Sequence, residues 1–114
     1  MEKMFLAVKK HREERPYMYV NISDAIGFQV ADSGTAMKVM LPEKDIVLVD
    51  ILPEHISMTY TQMVEIFTRI VIAGTIFGMD GNNQFTKRIE KICRDCGSPN
   101  NLFDFNDGIL KLIL

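Results

Sequence analysis

Residues 59–77, TYTQMVEIFTRIVIAGTIF, decide the fold of this 114-residue chain, because they form its longest segment with helical periodicity. Thr59 and Gln62 have the spacing of a capping box, in which a hydroxyl caps the first turn and a glutamine returns to the cap amide. Met63 and Phe67 then begin an apolar stripe at intervals of three and four residues. The segment is therefore predicted to be a helix with one face in the core.

The last half of this helix has no polar face. Beyond Arg69 the solvent side continues with Ile72 and Ile76, so this part is predicted to be buried on two sides, under a second layer or against a partner. Gly74 and Gly78 form a smooth patch that allows close backbone approach, either within the chain or between copies. We predict these four apolar and small residues, Ile72, Gly74, Ile76 and Gly78, as the self-association face.

A second helix follows after a short break at Asp80-Gly81-Asn82-Asn83. Apolar residues recur at helical spacing from Phe85 to Cys96, basic residues lie opposite, and Gly97 is placed to end the helix. Because the break is short, the two helices are predicted to form an antiparallel hairpin.

The rest of the chain is predicted to form strands. Hairpins are indicated by alternating residues on either side of a charged loop, and by two apolar runs around Asp32-Ser33-Gly34, where glycine supplies a positive φ. Residues 45–52 are apolar on both faces except for Asp50, which predicts an interior strand covered on at least one side. A turn-rich stretch, residues 98–108, leads to a final strand. The predicted strands are residues 4–9, 17–22, 28–30, 37–41, 45–52 and 109–114.

These elements predict an α+β fold in one domain, residues 1–114. An antiparallel sheet of about five to six strands, from the first half plus the C-terminal strand, packs against the helical hairpin. Hydrophobic residues make up 47% of the chain and charged residues 25%, which is typical of globular proteins and argues against disorder. We find no signal peptide or membrane span, and two cysteines form no disulfide framework, so we expect a cytoplasmic protein.

Cysteine and histidine offer little chemistry. Cys93 and Cys96 have the spacing of a metal or redox pair, but the remaining candidate ligands, His11 and His55, lack zinc-finger spacing. A redox pair needs its thiolate at a helix N-terminus, whereas this pair lies at a predicted C-terminus. We interpret both cysteines as core thiols and predict no metal, no cofactor and no catalytic residue.

Charge and aromatic residues point to a protein partner. Residues 17–68 hold seven acidic residues and two lysines, a net charge of −5, and no concentrated basic surface for nucleic acid is present. Tyr17 and Tyr19 are predicted to face outward, and Phe103 and Phe105 form an apolar motif that either docks on a partner or folds back over the core. The predicted partner-binding residues are Tyr17, Tyr19, Asp45, Asp50, Glu54, Phe103 and Phe105.

Three hypotheses for function follow. The first is a non-enzymatic regulator of the inhibitor, adaptor or chaperone type, which binds a basic protein surface through an apolar patch and acidic residues. The second is an oligomeric module that binds a nucleotide or another small molecule at subunit interfaces. The third is a small hydrolase or nuclease that uses His55 with Glu54 or His11.

Overall fold

The computed structural model describes residues 4–8, 18–50, 58–78, 83–98 and 102–112. They form seven strands, one short 3-10 turn at Pro42–Lys44 and two α-helices. This α+β composition confirms the predicted class. The strands are β1 (Phe5–Val8), β2 (Met18–Asn21), β3 (Gly27–Val30), β4 (Met37–Met40), β5 (Ile46–Val49), β6 (Phe103–Asn106) and β7 (Ile109–Leu112), and the helices are α1 (Tyr60–Phe77) and α2 (Asn83–Asp95).

The strands form two sheets, so the prediction of one antiparallel sheet is wrong. A four-stranded sheet has the order β2-β1-β7-β6, and a three-stranded sheet has the order β3-β4-β5. All neighbours are antiparallel except β1 and β7, which run parallel. The helices lie between β5 and β6 in the chain, and this long connection lets β7 return beside β1 in the parallel direction.

β6 occupies a stretch that was predicted to consist of turns. Phe103 and Phe105 alternate along it with the exposed Asp104 and Asn106, which is the period of a half-buried strand. Asp107 and Gly108 then form a two-residue loop with φ of 52° and 77°, the positive values that a tight hairpin needs. The C-terminal segment is therefore a hairpin of β6 and β7. β7 lies within the predicted final strand, whereas β6 was not predicted.

The predicted hairpin around Gly34 is confirmed, whereas the prediction of an interior strand at residues 45–52 is wrong. β3 and β4 pair antiparallel, and Gly34 has φ of 72° in the turn between them. β5 pairs with β4 but is the outer strand of its sheet in the described part of the chain. Val49 is buried on the covered face and Val47 is half-buried, so the expectation of one covered side holds.

α1 begins with the predicted capping box. The Gln62 backbone N–H donates to the Thr59 hydroxyl at 3.2 Å, and the Thr59 N–H donates to the Gln62 side chain at 2.8 Å. The Gln62 amide also donates to the Cys96 carbonyl just after α2. The start of α1 thus lies beside the end of α2, as in an antiparallel helix pair. Neither described helix is long and apolar enough to cross a membrane.

Phe67 joins the two sheets. Its side chain is completely buried, stacks on Phe28 of β3 with a centroid distance of 5.8 Å, and meets the edge of Phe103 of β6 at 5.3 Å. α1 packs on β3 and β4, while α2 packs on α1 and β6. One buried cluster therefore draws residues from both helices and both sheets.

We predict that Phe67→Ala lowers the free energy of unfolding by about 3–5 kcal/mol, because it removes the ring between the sheets and leaves a cavity. Urea unfolding followed by circular dichroism measures the change. Thr68→Ala is the matched control on the exposed side of the same helix and should stay within about 0.5 kcal/mol of the original protein. Equal effects of both substitutions would contradict this role of Phe67.

Candidate functional site

β5 combines exposed apolar side chains on its outer face with exposed acidic residues at its two ends. Side chains alternate across a strand, so Val47 and Val49 face the core while Ile46 and Leu48 face outward. Ile46 is 57% exposed and Leu48 is 62% exposed. Asp45 and Asp50 are exposed immediately before and after the strand. We name these four residues, Asp45, Ile46, Leu48 and Asp50, the β5 surface.

Hydrogen bonds fix both ends of β5. The Leu41 N–H donates to the Asp45 carbonyl at 2.8 Å across the turn that connects β4 to β5. Glu43 and Lys44 in this turn have φ of 66° and 64°, so the chain reverses sharply and Asp45 starts a new strand. At the other end, the Tyr60 hydroxyl donates to the Asp50 carboxylate at 2.9 Å. The two acidic residues are therefore held at defined positions on the sheet.

The neighbouring strand extends the apolar surface. Met40 of β4 lies opposite Ile46, and Lys38 lies opposite Leu48, so these side chains share the outer face. Both are half-buried. Met40 lies across Gly27 of β3, where its Cε would be only 2.9 Å from an added Cβ. The lack of a side chain at Gly27 thus leaves room for the end of Met40 over β3, on the side of β4 away from β5.

The other predicted partner-binding residues do not join this surface. Tyr19 is 56% exposed but belongs to the four-stranded sheet. Phe103 is only 1% exposed, so its prediction as a docking residue is wrong and the alternative of folding back over the core applies. Phe105 is half-buried in an edge contact with Phe85, with a centroid distance of 5.1 Å. Tyr17 and Glu54 lie outside the described residues.

The four residues of the predicted self-association face have different environments in the structure. Ile72 and Ile76 are 52% and 66% exposed, so the described chain does not cover them and their role in self-association stays a prediction. Gly74 is buried, which places it inside the chain and removes it from an exposed contact face. Gly78 is the C-terminal cap of α1, with φ of 77°. The glycine pair thus serves packing and helix termination.

Cys93 and Cys96 are both buried thiols. Burial raises the pKa of Cys93 above its ordinary value and outweighs the hydrogen bond with the Leu102 backbone, which lowers that pKa. Burial also raises the pKa of Cys96. Within the described residues, no group of three or more potential metal ligands lies together. Both thiols thus have the environment of core residues, and His11 and His55 lie outside the described chain.

A shallow depression of about 250 Å³ lies on the outer face of the four-stranded sheet. Tyr19, Ala7, Lys111 and Asp104 form a row across its strands, because each is paired with the next in register. Ala7 forms the floor of the depression, because its side chain is smaller than those of Tyr19 and Lys111 on either side. The depression is lined by Ala7, Tyr19, Asp104, Asn106, Asp107, Ile109 and Lys111.

We predict that both thiols of the folded protein react with an aromatic disulfide reagent at pH 8 much more slowly than free cysteine does. Burial blocks access, and the raised pKa values keep both groups protonated. The same shifts stabilise the fold below the ordinary thiol pKa, and this contribution is lost as the pH rises through the folded-state pKa. Absorbance of the released thiolate measures the rate, and concentrated guanidinium should restore rapid reaction at both sites. Rapid reaction without denaturant would contradict the prediction.

Comparisons of this chain with protein-family models, with curated proteins and with solved structures found no significant match.

Proposed function

We propose that this chain is a non-enzymatic regulator that binds another protein through the β5 surface. The observation that supports the proposal is the placement of exposed Ile46 and Leu48 between exposed Asp45 and Asp50. Exposed apolar and exposed acidic side chains thus lie within residues 45–50.

The apolar side chains would supply affinity. Full burial of an isoleucine or leucine side chain stabilises by about 1.5–3 kcal/mol relative to full exposure. Ile46 and Leu48 are each more than half exposed, so a partner that buries them would obtain much of this stabilisation. Met40 of β4 pairs with Ile46 in register and is half-buried, and its flexible side chain would add a smaller apolar contact on the same face.

The acidic side chains would select the partner by charge. Asp45 and Asp50 are exposed at opposite ends of β5, and Glu43 adds a third exposed carboxylate in the preceding turn. A basic surface would be attracted over a distance of about 8–10 Å at moderate salt. Such charges mainly raise the association rate and exclude acidic partners. The proposed partner is therefore a protein with lysine or arginine around an apolar centre.

The nucleotide-binding hypothesis has weaker support. The depression on the four-stranded sheet is lined by the carboxylates of Asp104 and Asp107, against the single cation of Lys111. This lining would repel the phosphates of a nucleotide. The hydrolase hypothesis rests on His11, Glu54 and His55, none of which the structure describes, and it stays a sequence prediction.

We predict that Asp45→Lys with Asp50→Lys slows association with the partner about tenfold or more at low salt, because it reverses the electrostatic attraction. The partner is first isolated by affinity purification from the native host with the unaltered chain. Association rates are then measured by surface plasmon resonance at several salt concentrations. The difference between the proteins should shrink as salt increases.

Asp32→Lys is the matched control, since Asp32 is an exposed acid in the β3–β4 turn and lies outside the β5 surface. It should change the rate far less than the double reversal. Leu48→Asp should accelerate dissociation, because it places a charge in the apolar centre. A partner whose binding is unchanged by both β5 variants would rule out this surface.

A further inference from the structure

We infer that the partner contributes an extended segment that pairs with the free edge of β5 as a fourth strand of the three-stranded sheet. The inference rests on the function proposed above and specifies how the β5 surface is used. Its basis is the backbone of β5, which offers hydrogen-bonding groups as well as exposed side chains.

The pairing of β4 and β5 determines which backbone groups are free. Because Leu41 and Asp45 are hydrogen-bonded across the turn, bonded pairs recur at every second residue. Val47 and Val49 therefore direct their N–H and C=O groups toward β4. Ile46 and Leu48 direct theirs away from β4, where no strand of the described chain lies. An added strand would find two donors and two acceptors in register.

The same two residues also expose their side chains. Outward-facing side chains of an added strand would lie directly beside Ile46 and Leu48, as cross-strand neighbours do. Among the described side chains, no other outer strand carries two exposed apolar residues: β2 exposes Tyr19, β3 exposes Gln29, and β6 exposes Asp104 and Asn106. β5 is therefore the edge where backbone pairing and apolar contact coincide.

The charges at the ends of β5 favour a segment of another protein over a second copy. Asp45 and Asp50 are separated by five residues, about 17 Å along a strand. Glu43, Lys44 and Asp45 carry a net charge of −1 at one end, and Asp50 carries −1 at the other. Antiparallel pairing of two β5 strands would bring like-charged ends together, which is destabilising. A segment with lysine or arginine near both ends would complement them in either direction.

The inferred ligand is thus an extended peptide with alternating apolar residues and basic residues about five positions apart. Peptides of this kind can be obtained without knowing the natural partner, by selecting a phage-displayed library of random dodecapeptides on the full chain. We expect the enriched sequences to be rich in valine, isoleucine, threonine and tyrosine, with lysine or arginine at both ends. Failure to enrich such sequences would overturn the inference.

Amide hydrogen exchange, measured by NMR on the unaltered protein with the strongest selected peptide, gives the decisive readout. Saturation with the peptide should slow exchange of the Ile46 and Leu48 amides by roughly tenfold or more, because their N–H groups become hydrogen-bonded. The Val47 and Val49 amides are the internal controls, since they already bond to β4 and should change much less. A bound peptide that leaves Ile46 and Leu48 unprotected would overturn strand addition.

Two substitutions separate backbone pairing from side-chain contact. Leu48→Pro removes an edge-facing N–H, and proline is tolerated on the outer edge of a sheet. Leu48→Ala removes the same side chain but keeps the N–H. We expect Leu48→Pro to weaken peptide binding at least about tenfold more than Leu48→Ala, with folding of each variant checked by thermal unfolding. Equal loss in both folded variants would overturn strand addition.

The outcomes also distinguish the inference from the proposed function. If the charge reversals at Asp45 and Asp50 weaken binding of the natural partner while the Leu48 variants lose it equally, the partner uses the surface without adding a strand. If neither set of variants affects the natural partner, the proposed function fails as well. Protection of Ile46 and Leu48 that rises with protein concentration in the absence of peptide would identify a second copy as the occupant.

Discussion

The aromatic contact of Phe67 with both sheets is the constraint on which the fold depends. This ring stacks on Phe28 and meets the edge of Phe103, so a single side chain of α1 packs against the three-stranded and the four-stranded sheet. The two sheets share no strand pairing among the described residues. Their association must therefore come from side-chain packing around α1, and dispersion and apolar burial at this position hold the two sheets in one core.

In the described chain, packing around α1 leaves exposed side chains on the outer faces of both sheets. The inner face of the three-stranded sheet gives Phe28, Met37 and Val39 to the core, whereas Ile46 and Leu48 on its outer face are exposed. With only three strands, this sheet has two edges and β5 forms one of them. The exposed strand that we propose as the binding surface is therefore an outer strand of the smaller sheet.

Local features could be predicted from the sequence, whereas pairing between distant segments could not. The capping box at Thr59 and the turn at Gly34 depend on contacts within a few residues, and both were found. The β6 strand was missed although Asp107-Gly108, flanked by alternating Phe and Asp/Asn residues, carries a strong hairpin signal. The parallel pairing of β1 with β7 joins segments about a hundred residues apart, and no local pattern specifies it. The burial of Phe103 over the core is one of the two predicted alternatives, and the ring of Phe67 that it contacts lies on α1.

One strand, β5, packs against the core and still exposes apolar side chains. Its apolar run reads as an interior strand, because Ile46 and Leu48 are as hydrophobic as the buried valines between them. Exposed edges of this kind invite pairing, and proteins usually protect them with charge, proline or a bulge. Here carboxylates stand at the ends, while the edge-facing hydrogen-bonding groups of Ile46 and Leu48 meet no strand of the described chain. Charge at the ends discourages pairing with a like copy while the edge stays accessible to a segment of opposite charge, which is the arrangement that a selective binding strand requires.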